Sequence, residues 1–146
     1  MEGRRHCPYF RKILVGYDGS AASERAVDVA ISLAQCIDAE ILVLAVARPP
    51  EPATIVEVDA VLDNAKEHFE EGFSKVRERA KSADVHLQTM IEVGHPAEHL
   101  IHQAEINHAE LIIVGRRGTS LFEKLILGSV SERVLRYAHC PVMVMK

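Results

Sequence analysis

Apolar residues arrive in short continuous runs, and amphipathic stretches of helical period separate them. Lys12 to Gly16 carries Ile13, Leu14 and Val15 without alternation, and Glu40 to Ala47 carries a second such run. Both read as strands buried on two faces. Between them, Ala26, Val27, Ala30, Ile31, Leu33 and Ala34 form the stripe of a helix, capped by Ser20 or Ser23 and ending near Ile37-Asp38. The run Arg48-Pro49-Pro50-Glu51-Pro52 breaks the second strand. Thr54 to Asp59 reads as a variable connection. A charged helix is expected from about Val61 to Ser82, with Leu62, Ala65, Phe69, Phe73, Val76 and Ala80 inward.

Val85 to Val93 alternates, as a half-exposed edge strand does. Gly94-His95-Pro96 opens a third helix. Ala109 to Gly115 is a fourth strand, Gly128 to Ala138 a fourth helix, and Pro141 to Met145 a last strand. Strand and helix alternate four times before that closing strand. This predicts an α/β fold: one doubly wound, Rossmann-like domain with a five-stranded parallel sheet and helices on both faces. The doubly wound order is 3-2-1-4-5, which reverses between strands 1 and 4. Ligands of such sheets bind at the carboxyl ends of the strands at that reversal.

A glycine pattern falls at the same place. Gly115, two residues, Gly118, nine residues, then Gly128-Ser129 follow the fourth strand. Glycines let a backbone approach an anion, and free N–H groups at a helix start favour its charge. Gly115, Gly118, Gly128 and Ser129 are therefore expected to hold phosphate through backbone N–H groups, with Ser129 Oγ adding a bond. Arg116, Arg117, Thr119 and Ser120 are positioned to add charge or hydroxyl contacts.

This pattern resembles the nucleotide loop of the universal stress protein family, whose ATP-binding branch is marked by G-x-x-G, nine residues and G-[ST]. Ile13-Leu14-Val15-Gly16-Tyr17-Asp18-Gly19-Ser20, Gly94-His95-Pro96-Ala97, Val130-Ser131-Glu132-Arg133-Val134-Leu135 and Cys140-Pro141-Val142-Met143-Val144 look like the family too, in family order from about Arg11 to Lys146. Arg116 and Arg117 depart from the small residues often seen there. The resemblance also implies strand order 3-2-1-4-5. It implies a nucleotide site drawn from Val15, Gly16, Tyr17 and Asp18, from backbone near Val46, and from the loop residues through Val130 and Ser131. It places Asp18 near the ribose or phosphates, where it can help hold Mg²⁺ (or Mn²⁺) shared with ATP; one or two carboxylates suffice for that. A carboxylate that merely caps its own loop is the plainer alternative. A homodimer through the last strand, Val142 to Met145, is implied as well, and an apolar edge strand invites such pairing.

Composition narrows the function. The chain has 146 residues, 48% hydrophobic and 26% charged, with net charge −4. One domain is expected at 11–146 behind a flexible arm at 1–10. The acidic balance speaks against nucleic acid. No apolar run nears the roughly 20 residues of a membrane span, and the charged N-terminus is unlike a secretory signal. Cys7, Cys36 and Cys140 are widely spaced, which suits reduced thiols and a cytoplasmic setting; Cys36 and Cys140 read as buried. His95, His99 and His102 share one helix at steps of four and three, and read as a polar face rather than a metal site. The sequence contains no G-x-x-x-x-G-K-[ST], no G-x-S-x-G and no evident base. The leading expectation is an ATP-binding regulatory protein with a protein partner. A slow ATPase or adenylate-handling enzyme, and a structural dimer with an empty pocket, are the alternatives.

Overall fold

Three of the apolar runs become the interior strands of a parallel sheet in the computed structural model, which describes residues 7–52, 54–116 and 128–146. The elements are β1 (Lys12–Gly16), α1 (Ala21–Ile37), β2 (Glu40–Ala47), α2 (Ile55–Ser82), β3 (Leu87–Val93), α3 (Pro96–Ile106), β4 (Leu111–Gly115), α4 (Ser129–Tyr137) and β5 (Val142–Met145). The sheet runs β3-β2-β1-β4-β5, every pair parallel, as the alternation predicts. Val15 faces Val43 across one ladder and Ile113 across the other.

The side-chain period of two sorts the strands into two cores. Ile13, Val15 and Tyr17 point to the face covered by α1 and α2, together with Ile41, Val43, Ala45, Leu111 and Ile113. Leu14, Leu44, Ile112 and Val114 point to the face covered by α3 and α4, against Ala97, Leu100, Ala104 and Val134. Each large apolar side chain so buried contributes about 1.5–3 kcal/mol. The first face also holds an aromatic group, with Tyr17 5.5 Å from Phe73 and 6.0 Å from Phe69 between ring centres.

Ser20 caps α1 by accepting from Ser23 N at 3.2 Å, and Asp38 ends the helix in the left-handed region at φ 59°. The start of α2 corrects the sequence reading. The helix begins at Ile55, not near Val61, because Thr54 and Glu57 form a capping box: Glu57 N donates to Thr54 Oγ1 at 3.2 Å and Thr54 N to Glu57 Oε2 at 2.7 Å. Cys36 is a second correction. It lies on the outer side of α1 and is exposed, whereas Cys140 is partly buried and its thiol is pushed up by burial. Among the described residues, no helix is long and apolar enough to cross a membrane.

Candidate functional site

A cleft of about 590 Å³, open to solvent, lies where β1 and β4 end. Its origin is a missing side chain. Alternation along β1 sends Leu14 and the next-but-one residue toward α3, but that residue is Gly16. A Cβ there would stand 3.2 Å from Leu100 Cδ1 and from Val114 Cγ1. Glycine lets Leu100 and Val114 pack onto the β1 backbone and puts no side chain of its own into the cleft. Gly115 ends β4 under a different constraint: a Cβ would lie 2.9 Å from the backbone of Ala22 and Ser23. Only glycine lets β4 close on the first turn of α1.

The third wall is the start of α4. Gly128 is its N-cap and has no side chain to cap the first-turn N–H groups beside the cleft. Ser131 is buried and its hydroxyl donates to the Gly115 carbonyl at 3.0 Å, which ties α4 to β4. Arg116 N donates to the Met145 carbonyl, extending the ladder to β5.

The loop after β1 supplies the acid. Asp18 is exposed, and its Oδ1 accepts from Ser20 N at 2.9 Å. Ser23 Oγ donates to the Ser20 carbonyl at 2.9 Å and accepts from Asp18 N at 3.4 Å. Asp18 is the acidic residue lining the cleft. No group of three or more His, Cys, Asp or Glu among the described residues is placed to hold a metal. A Mg²⁺ carried mainly by phosphate oxygens fits such a site, since it takes one or two carboxylates from the protein.

Tyr17 turns its ring away from the cleft into the α1–α2 core. Its hydroxyl donates to Glu24 Oε1 at 2.6 Å, and Glu24 Oε2 accepts from Arg79 at 2.7 Å. Burial, and then the Glu24 carboxylate, hold the phenol well above its ordinary pKa. It is a neutral donor that anchors the loop from behind.

Of the sequence-expected site residues, Gly16, Tyr17, Asp18, Val46, Gly115, Gly128, Val130 and Ser131 line the cleft. Val15 does not: it is fully buried in the sheet core. Ser129 is exposed in the first turn of α4, and Arg116 is half-buried just past β4; neither lines the cleft. Arg117, Gly118, Thr119 and Ser120 lie outside the described residues. Ser20, Ser23, Leu44, Pro96, Leu100 and Val114 also line it. The signals for these were a cap position, the two-residue step from Val46, and the proline that opens α3.

The three histidines do not converge. His95 Nε2 is 3.2 Å from Glu51 Oε1, and His99 Nδ1 is 3.0 Å from Glu92 Oε2, while His102 faces the outer groove between α3 and α4. Carboxylates from other elements thus meet two of them, which the helix spacing alone did not reveal. A more voluminous and more open depression, about 1120 Å³, lies at the opposite end of the sheet around Asp38 to Glu40 and Arg77 to Leu87, away from the glycine loops.

The sequence model of the Universal stress protein family matches residues 9–146. Universal stress protein MJ0531 of Methanocaldococcus jannaschii is 34% identical over 143 residues, covering 94% of this chain and 82% of that protein. The structure of universal stress protein UspA from Lactobacillus plantarum superposes with a TM-score of 0.84 at 24% identity, over 96% of this chain and 100% of that one. A universal stress protein solved in complex with cAMP superposes with a TM-score of 0.74 at 25% identity, over 94% of this chain and 98% of its own. The chain belongs to the universal stress protein family.

Proposed function

We propose that this protein binds an adenine nucleotide, ATP in the first place, and acts as a nucleotide-dependent regulatory protein. The observation that carries the proposal is the cleft itself: Gly16 and Asp18 line it at the end of β1, and Gly128 brings the start of α4 to it. Apolar Leu44, Val46, Leu100 and Val114 offer a surface for a base. The α4 N–H groups favour phosphate through their dipole. Asp18 would lend a carboxylate oxygen to Mg²⁺ or Mn²⁺ bound with the phosphates. The cAMP complex of a family member supports an adenylate as the ligand class. The glycine spacing through Gly118 and Ser129 supports ATP.

Binding rather than turnover is the core of the reading. Among the described residues the cleft lining includes no His or Lys to serve as a base, and phosphoryl transfer needs an oriented nucleophile. Two copies would pair through the β5 edge, Val142 to Met145, where Met143 is exposed.

Protein purified without added nucleotide, then denatured, tests the proposal. ATP or ADP released near one per chain is the expected result. A protein that releases none and gains no thermal stability from excess Mg-ATP contradicts it, because a ligand specific to the folded state must stabilise that state.

A further inference from the structure

The apolar stripe of α2 outruns the body it packs on. Ala65, Phe69, Phe73, Val76 and Ala80 are buried against the sheet, recurring at steps of three and four. The same steps continued toward the amino terminus give Leu62, Val58 and Ile55, on the same helix face. From Ile55 to Asn64 no residue is buried, although Val58, Val61 and Leu62 are partly covered. Ile55 is 82% exposed and its neighbour Val56 77%. Roughly 15 Å of helix, at 1.5 Å per residue, thus runs beyond the last buried turn, with Ile55 at its open end. This stretch is a formed helix, since the Thr54–Glu57 box closes its first turn.

Its charge is of one sign. From Thr54 to Ala65 the chain carries Glu57, Asp59 and Asp63 and no Lys, Arg or His. Glu57 is engaged with Thr54, while Asp59 and Asp63, four residues apart, share one flank of the stripe.

We propose that this overhang, Ile55 to Asn64, is a docking face for a basic amphipathic helix of a partner protein. An apolar stripe with an acidic flank is the complement of a helix with one apolar face and lysines or arginines beside it. A second copy of this chain fits poorly, because it would set acid against acid. The overhang also offers far fewer residues than the about 20–30 a side of a standard stable interface, which suits a transient partner. The loop that leads into α2 is pinned to the cleft rim. Glu51 meets His95, the N-cap of α3, and Pro96 at the start of α3 lines the cleft. A docked helix therefore sits beside the cleft.

The test is fluorescence anisotropy without added nucleotide, so its outcome does not depend on what the cleft binds. The probe is a labelled synthetic helix with leucines along one face and lysines on its flanks. Saturable micromolar binding to the wild type is expected, and none for the same helix with glutamates in place of the lysines. Ile55→Ser should weaken binding by about tenfold while leaving the melting temperature unchanged. Asp59→Asn combined with Asp63→Asn should weaken it and flatten its salt dependence. Glu71→Gln, on the exposed surface of α2 beyond the overhang, should change nothing. Absence of saturable binding, or equal binding by wild type and Ile55→Ser, overturns the proposal. So does a ligand-free dimer that Ile55→Ser dissolves, since a second copy would then be the occupant.

Discussion

The two faces of one sheet are built from the same three interior strands and end differently. Toward α1 and α2, β1 reads Ile13, Val15, Tyr17, and the last of these closes the face with an aromatic ring tied to Glu24. Toward α3 and α4 it reads Leu14 and then Gly16, and the face stops one side chain short. The closed face supplies rigidity, and the open face supplies the cleft. The proposed site has a glycine where Leu100 and Val114 meet the β1 backbone, and the completed core stands behind it.

Four substitutions bear on that contrast, in falling order of expected effect. Phe73→Ala removes a ring that is 2% exposed at the heart of the closed face. It should cost about 3–5 kcal/mol in urea unfolding. Gly115→Ala forces a Cβ to within 2.9 Å of the α1 backbone, where the neighbours are main chain and yield little. A loss of about 1–3 kcal/mol is expected by thermal melting.

Tyr17→Phe keeps the ring and deletes the bond to Glu24, for about 0.5–1.5 kcal/mol. It also has a pH signature. The folded phenol is raised above its ordinary value of 10.0, so its contribution is complete below pH 10. Above pH 10 the unfolded chain ionises first and stability falls as pH rises. The wild type should lose more stability than Tyr17→Phe over that range. Equal slopes in urea titrations above pH 10 would show that the hydroxyl is not held.

Thr54→Ala has the smallest global effect, about 0.5 kcal/mol for an exposed cap, felt mainly in the first turn of α2. Faster amide exchange from Glu57 to Asp59 is the expected readout. The bonds from Thr54 lower the Glu57 carboxyl below its ordinary 4.5. The Glu57 half of the box is therefore complete above pH 4.5 and lost as pH falls below it, while the bond to Thr54 Oγ1 persists. Exchange at these amides should lose part of its protection in that acid range in the wild type, and the step should be smaller in Thr54→Ala, which keeps the backbone bond to Glu57 and loses the hydroxyl's.

Much of this architecture was legible in the sequence, for a physical reason. Runs such as Ile13-Leu14-Val15 and Ile112-Ile113-Val114 have no polar side to expose, so they had to be interior parallel strands. With right-handed crossovers, that left few orders, the family resemblance pointed to 3-2-1-4-5 among them, and the order marked the end of the sheet where a site could form. The start of α2 was obscured because Ile55 and Val56 are β-branched and follow three prolines, while the Thr54-x-x-Glu57 signal was outweighed by them. Cys36 was misjudged by its apolar company, although it sits two residues from buried Ala34 and so turns outward. Within the site, the glycines were readable because their lack of a side chain is itself the signal. Leu44, Leu100 and Val114 were not, since an apolar residue that lines a cleft has the same pattern as one that fills a core.

Titration calorimetry with Mg-ATP on the wild type and on Gly16→Leu tests the central claim most directly. Leucine would press its Cβ on Leu100 and Val114 and send its branch into the cleft, at a stability cost of about 1–3 kcal/mol. The cleft as nucleotide site predicts one saturable site per chain in the wild type, and affinity lowered by more than about tenfold in a Gly16→Leu protein of unchanged circular dichroism. Equal affinity in the two proteins, or no saturable binding by the wild type, would contradict it.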